Sequence, residues 1–205
     1  MKASFSFAYD NKTYRKNGDC QLYLQHTPCD KYHTKVRPDS IQSIWLNQPG
    51  KRELIPMDEK IAPIIEGTLE SISTIIPLPV SFQSPTWFKA PVHQKELGVL
   101  VSLTGDLHIR FILDGKMDTL CKLGESMFGM QLDNQMLESF AGELGNMIVG
   151  NLSTYLAGRG YVIDITPPTV MVGETKLYGF DQAVSIPFEM ETIGQLNMVI
   201  IIDKD

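Results

Sequence analysis

Residues 107–114 read Leu-His-Ile-Arg-Phe-Ile-Leu-Asp, and residues 196–203 read Leu-Asn-Met-Val-Ile-Ile-Ile-Asp, at a spacing of 89. A second echo sets Glu66 and Pro91 against Glu143 and Pro168, at a spacing of 77. An internal repeat constrains a fold more than composition does, because each copy must bury its apolar face against the other. The two spacings differ by 12, which places extra residues in the second copy.

Each copy reads as a helix followed by two strands. Ile61, Ile64, Ile65, Thr68, Leu69 and Ile72 recur at helical spacing, with Asp58 and Glu59 near the start. Pro63 is compatible with this helix only in its first turn, and Pro77 and Pro79 end it. Residues 97–103 and 107–113 predict a hairpin around Thr104-Gly105-Asp106. A short helix is predicted over 117–127 and a long one over 135–156, closed by Gly158 and Gly160. A strand follows over 162–165, and a second hairpin joins 183–190 to 196–202 around Gly194. An αββ unit used twice gives an α+β fold, with two long helices packed on one antiparallel sheet.

The first 56 residues resist this treatment. They show neither helical spacing nor sustained alternation, so they are expected to form a loosely patterned N-terminal extension to a domain spanning 57–205. A start at Met57 is the competing explanation, since the codons for Lys51-Arg52-Glu53 could form a purine-rich ribosome-recruiting stretch. Charge divides at the same place. Residues 1–56 carry nine Lys/Arg and five Asp/Glu, whereas 57–205 carry nine and nineteen. An acidic body argues against a nucleic-acid partner, which demands clustered cations. No run of about 18 apolar residues suggests a membrane span. The start lacks the apolar core of a signal peptide, and Cys20, Cys29 and Cys121 are too scattered for a disulfide framework or zinc site. A cytoplasmic protein with reduced thiols is expected.

The chemistry concentrates on the long helix. Ser139, Glu143 and Asn146 follow one another at steps of four and three, which places them within about 60° on one face. Leu137, Phe140, Leu144, Met147, Ile148, Leu152 and Tyr155 fall on the other side and are expected to face the sheet. Gly142 and Gly150 lie beside the polar stripe, with Gly145 further round. Glycine costs a helix roughly 1 kcal/mol against alanine. That cost suggests close approach by another body, so Gly142 and Gly150 are candidate partner contacts, with Ser139. A lone Glu-x-x-Asn pair is usually just a solvated face. Ser/Asp-x3-Glu-x2-Asn-x21-Pro, completed here by Pro168, fixes four positions and should arise by chance in well under about 1% of chains.

On Ser139, Glu143, Asn146 and Pro168 the chain resembles the CheC/CheX/FliY family of chemotaxis phosphatases, over about 57–205. Some members carry two such sites and the CheX type carries one. Here the first half has Ala62, Glu66, Leu69 and Pro91 in the corresponding places, so its site reads as vestigial and CheX as the nearer type. The resemblance implies hydrolysis of the phospho-aspartate of a CheY-like receiver domain, with a homodimer paired through its sheets. It implies Asn146 as the residue that positions the attacking water and Glu143 as the partner of the receiver's active-site lysine. Pro168 would shape the strand start. No cofactor or metal is expected in this chain; Mg²⁺ is expected in the receiver. An amide suits the role because it both donates and accepts hydrogen bonds while staying neutral. The alternative is a non-catalytic receiver-binding or flagellar-switch module, which would need Glu143 but not Asn146.

Other residues fit blander roles. His93 and His108, the latter expected mid-strand, have no acidic partner at ligand spacing. Cys121 reads as a packed thiol, and Met117, Met127, Met130 and Met136 as core filler or an adaptable interface. Trp87-Phe88, between Pro85 and Pro91, suggests a loop packed back on the body.

Overall fold

The computed structural model describes residues 61–202. The extension over 1–56, the alternative start at Met57, Asp58, Glu59, Cys20 and Cys29 lie outside them. In chain order the elements are α1 (Ile61–Ile75), β1 (Val80–Phe82), β2 (Thr86–Phe88), β3 (Val92–Gln94), β4 (Leu97–Gly105), β5 (Ile109–Gly115), α2 (Met117–Phe128), α3 (Asn134–Ala157), β6 (Ile163–Ile165), β7 (Thr169–Val172), β8 (Thr175–Leu177), β9 (Gln182–Met190) and β10 (Gly194–Ile202). Eight strands build one sheet in the order β1-β9-β10-β5-β4-β6, with β2 also on β9 and β7 also on β4. β3 and β8 form a separate ribbon. Every pairing is antiparallel.

The register shows how the repeat is used. The two halves meet at the centre of the sheet, where β5 pairs β10 and Ile112 lies opposite Val199. Phe111 and Ile200, which the echo at 89 sets against each other, are also register partners there, so the pairing of the two central strands agrees with that echo. Pro168 lies just ahead of β7, Pro85 just ahead of β2, and Pro91 after β2, following a cis Ala90–Pro91 bond.

One face of the sheet carries Val99, Val101, Leu103, Phe111, Ile186, Phe188 and Ile200, all buried with the inner residues of the helices. The opposite face holds Ile112, Ala183, Val199 and Ile201, with Val92 and Leu177 of the ribbon packed on them. Burying such side chains fully is worth roughly 1.5–3 kcal/mol each. Pro63 sits in the first turn of α1 as described, and α1 stops short of Pro77.

α3 begins where Asp133 caps it, its Oδ1 accepting from the Met136 backbone N–H at 2.8 Å. At the far end Gly158 stays right-handed (φ −61°), and the left-handed residue is Gly160 (φ 92°). Two expectations are corrected. Trp87-Phe88 belongs to β2 and pairs with Val184 and Ala183 of β9. His108 lies in the turn before β5, exposed rather than mid-strand. Among the described residues no helix is long and apolar enough to cross a membrane.

Candidate functional site

The site is the outer face of α3. Leu137, Phe140, Ala141, Leu144, Ile148, Val149, Leu152 and Leu156 are buried and press the helix onto the sheet and α1. That fixes its rotation, so Ser139 and Glu143 are exposed and Asn146 is half-buried on the opposite side. The helix thus turns the three predicted polar residues outward together.

Pro168 joins them through the sheet. Thr166 is held to β4 by two bonds: its N–H donates to the Ser102 carbonyl at 2.9 Å, and its Oγ1 accepts from the Ser102 N–H at 3.0 Å. β7 then pairs with β4, bringing Pro168 Cγ to 4.0 Å from where a Cβ on Gly142 would stand. Gly142 is one residue from Glu143 and a turn from Asn146, so all four pattern positions converge. The entry to β6 is pinned similarly, with the Val162 N–H donating to Asp106 Oδ2 at 2.7 Å.

The glycines divide differently from the expectation. Gly142 is buried, and a Cβ there would lie 3.2 Å from Val170 Cγ2. What approaches its backbone is the chain's own β7, which accounts for the glycine without another body. Gly145 likewise admits Val99 of β4, whose Cγ1 would be 2.8 Å from an added Cβ. Gly150 is half-buried, with only Ile165 near, at 3.9 Å, and stays open on the outer face. Met147 is corrected too: it is 39% exposed and lies beside Glu143 rather than under the helix. Tyr155 faces α1, its ring filling the space where a Cβ on Gly67 would be, with the Arg159 guanidinium 3.6 Å from the ring centroid.

Sequence reasoning named Met136 as core filler or part of an adaptable interface but missed Phe128 and Met147, and all three stand exposed at the margin of this face. Met136 and Met147 lie seven before and four after Glu143, so helical spacing could have found them. Among the described residues no three His, Cys, Asp or Glu side chains gather as metal ligands.

The family model described as chemotaxis phosphatase CheX matches residues 97–189. The CheY-P phosphatase CheX of Thermotoga maritima is 29% identical over 139 residues, covering 65% of this chain and 90% of that protein. Among solved structures, the CheX of a CheX-CheY-BeF3-Mg complex from Borrelia burgdorferi superposes with a TM-score of 0.60 at 23% identity, covering 70% of this chain and 97% of that one. FliY of Thermotoga maritima has a TM-score of 0.52 at 17% identity, covering 75% and 93%. In fold and motif helix together the chain is similar to the CheC/CheX/FliY proteins, and the family model it matches is that of chemotaxis phosphatase CheX. It carries one complete Glu–Asn pair, on α3, with Leu69 breaking the other.

Proposed function

We propose that this chain is a phosphatase acting on the phospho-aspartate of a CheY-like receiver domain. The observation that carries the reading is the outward pairing of Glu143 with Asn146 on α3, with Pro168 alongside. Phospho-aspartate is an acyl phosphate, already labile. Its hydrolysis needs a water held in line with the phosphorus and the leaving carboxylate. The Asn146 amide accepts from that water through Oδ1 and donates through Nδ2, so it can orient it without changing charge. Glu143, on the same face, pairs with the receiver's active-site lysine and anchors the helix across the acyl phosphate. Ser139 and Gly150 border the contact. The metal of the reaction, Mg²⁺, belongs to the receiver. The products are inorganic phosphate and the free aspartate. The reading includes a cytoplasmic location, where receivers work, and a homodimer paired through its sheets.

A phosphate-release assay on a phosphorylated receiver tests this. Asn146→Ala should lower the rate on the order of 10²-fold or more, as removal of a transition-state donor does. An unchanged rate would overturn the role of the amide. Glu143→Ala should chiefly weaken binding.

A further inference from the structure

We infer that the exposed apolar margin of α3, formed by Phe128, Met136 and Met147, is the part of the docking surface that holds the receiver, while Glu143 and Asn146 act on it. The inference rests on the function proposed above and adds residues that the polar pattern does not contain.

The geometry of α3 sets the arrangement. At about 100° per residue, Met136 and Met147 fall within about 40° of Glu143, one on each side of it along the axis, while Asn146 falls about 60° the other way. Phe140 lies on the same flank as the methionines. It is buried, and the Phe128 ring stacks edge-on against it with centroids 5.6 Å apart. Phe128 is thereby held beside the motif face although it is 60% exposed. Met136 and Met147 are each 39% exposed. Glu143 therefore stands between two flanks: an apolar one of Phe128, Met136 and Met147, and a polar one of Asn146 leading to Pro168.

Exposed large apolar side chains scattered singly need no explanation, but several gathered along one helix flank do. Here Met136 and Met147 share the flank beside Glu143, Phe128 packs on Phe140 of the same flank, and all three remain exposed. Two polar side chains are too small an anchor for a specific complex, which typically buries roughly 800 Å² per partner around an apolar, aromatic or methionine centre. Residues 57–205 carry ten more acidic than basic side chains, and a receiver's phosphorylated pocket is itself acidic. Long-range charge therefore opposes encounter, and apolar contact supplies attraction that salt does not screen. Methionine tolerates an imperfect fit, which suits a partner that must leave after each turnover.

The test uses the full chain and a stand-alone CheY-type receiver of the same organism, activated with beryllofluoride and Mg²⁺ for binding and phosphorylated for turnover. Met136→Ala with Met147→Ala should raise Kd and KM about fivefold or more, while kcat at saturating receiver moves less than about twofold. Phe128→Ala should act in the same direction, and the methionine pair keeps the test meaningful if Phe128→Ala disturbs packing on Phe140. Tyr178→Ala, equally exposed (64%) but outside this flank, should change neither. Unchanged Kd and KM in the methionine variant would overturn the inference while leaving the phosphatase reading intact. A wild-type chain that neither binds a receiver nor releases phosphate would overturn both.

Discussion

Leu69 on α1 and Asn146 on α3 hold matching places in the sequence repeat, yet they face opposite media. Leu69 is 3% exposed and belongs to the core, whereas Asn146 reaches the surface beside Glu143. The first helix has given the position to packing, against α3 and the sheet. The second has kept it for a polar group. The difference teaches that the first half is not a weakened copy of the site awaiting one substitution. The helix shows its buried face at the same positions as α3, with Ile64, Ile65, Thr68 and Ile72 matching Ala141, Gly142, Gly145 and Val149, and Leu69 itself is packed away from solvent.

Reciprocal exchanges test this most sharply. Asn146→Leu should abolish most release, on the order of 10²-fold, while the fold survives because the position is only half-buried. Leu69→Asn should give no activity in that background and should cost about 3 kcal/mol in a denaturant titration, through lost packing and a buried amide without partners. Phosphate release restored by Leu69→Asn would break the comparison.

The glycines of α3 offer a smaller contrast. Gly145→Ala should destabilise by about 1–3 kcal/mol, because Val99 stands too close for the new methyl to be accommodated without a shift. Gly150→Ala should instead stabilise by up to about 1 kcal/mol through helix propensity, since only Ile165 is near and at ordinary contact distance. Should Gly150→Ala also weaken receiver binding, it is a partner contact; unaltered binding would remove it from the site.

The smallest effect concerns the far face of the sheet. Asp114 of β5 lies opposite Asn197 of β10 on that face. Burial pushes the Asp114 carboxyl up from 3.8 to about 6, against the lowering influence of Lys95. The folded state therefore binds this proton more tightly than the unfolded chain. That contribution to stability is fully present below about pH 4 and is lost as the pH rises through about 6. Asp114→Asn should raise stability at pH 7 by on the order of 1 kcal/mol, allowing for solvent screening, and change little at pH 4. Equal effects at both pH values would assign the gain to packing rather than charge.

Much of the fold was legible in the chain. The helix expected over 135–156 spans Asn134–Ala157, and the one expected over 117–127 spans Met117–Phe128. Both hairpins lie where alternation placed them. The short strands β1, β2, β3, β7 and β8 were not legible. Each has three or four residues, too few for a period; β1, β2 and β7 exist because a longer neighbour offers an edge, whereas β3 and β8 pair only with each other.

By itself the sequence determined the αββ repeat and the turn-by-turn grouping of Ser139, Glu143 and Asn146, because helical geometry is local and fixed by the backbone. It also determined, through Leu69, that only one half carries the complete Glu–Asn pair. Tertiary structure alone decided which way each helix faces. It put Pro168 beside Gly142, turned the Gly142 backbone toward Val170, and brought Phe128 from another helix to the margin of the Glu143 face. Those contacts join residues far apart in the chain, and their partners are chosen by packing of the whole sheet rather than by any local preference.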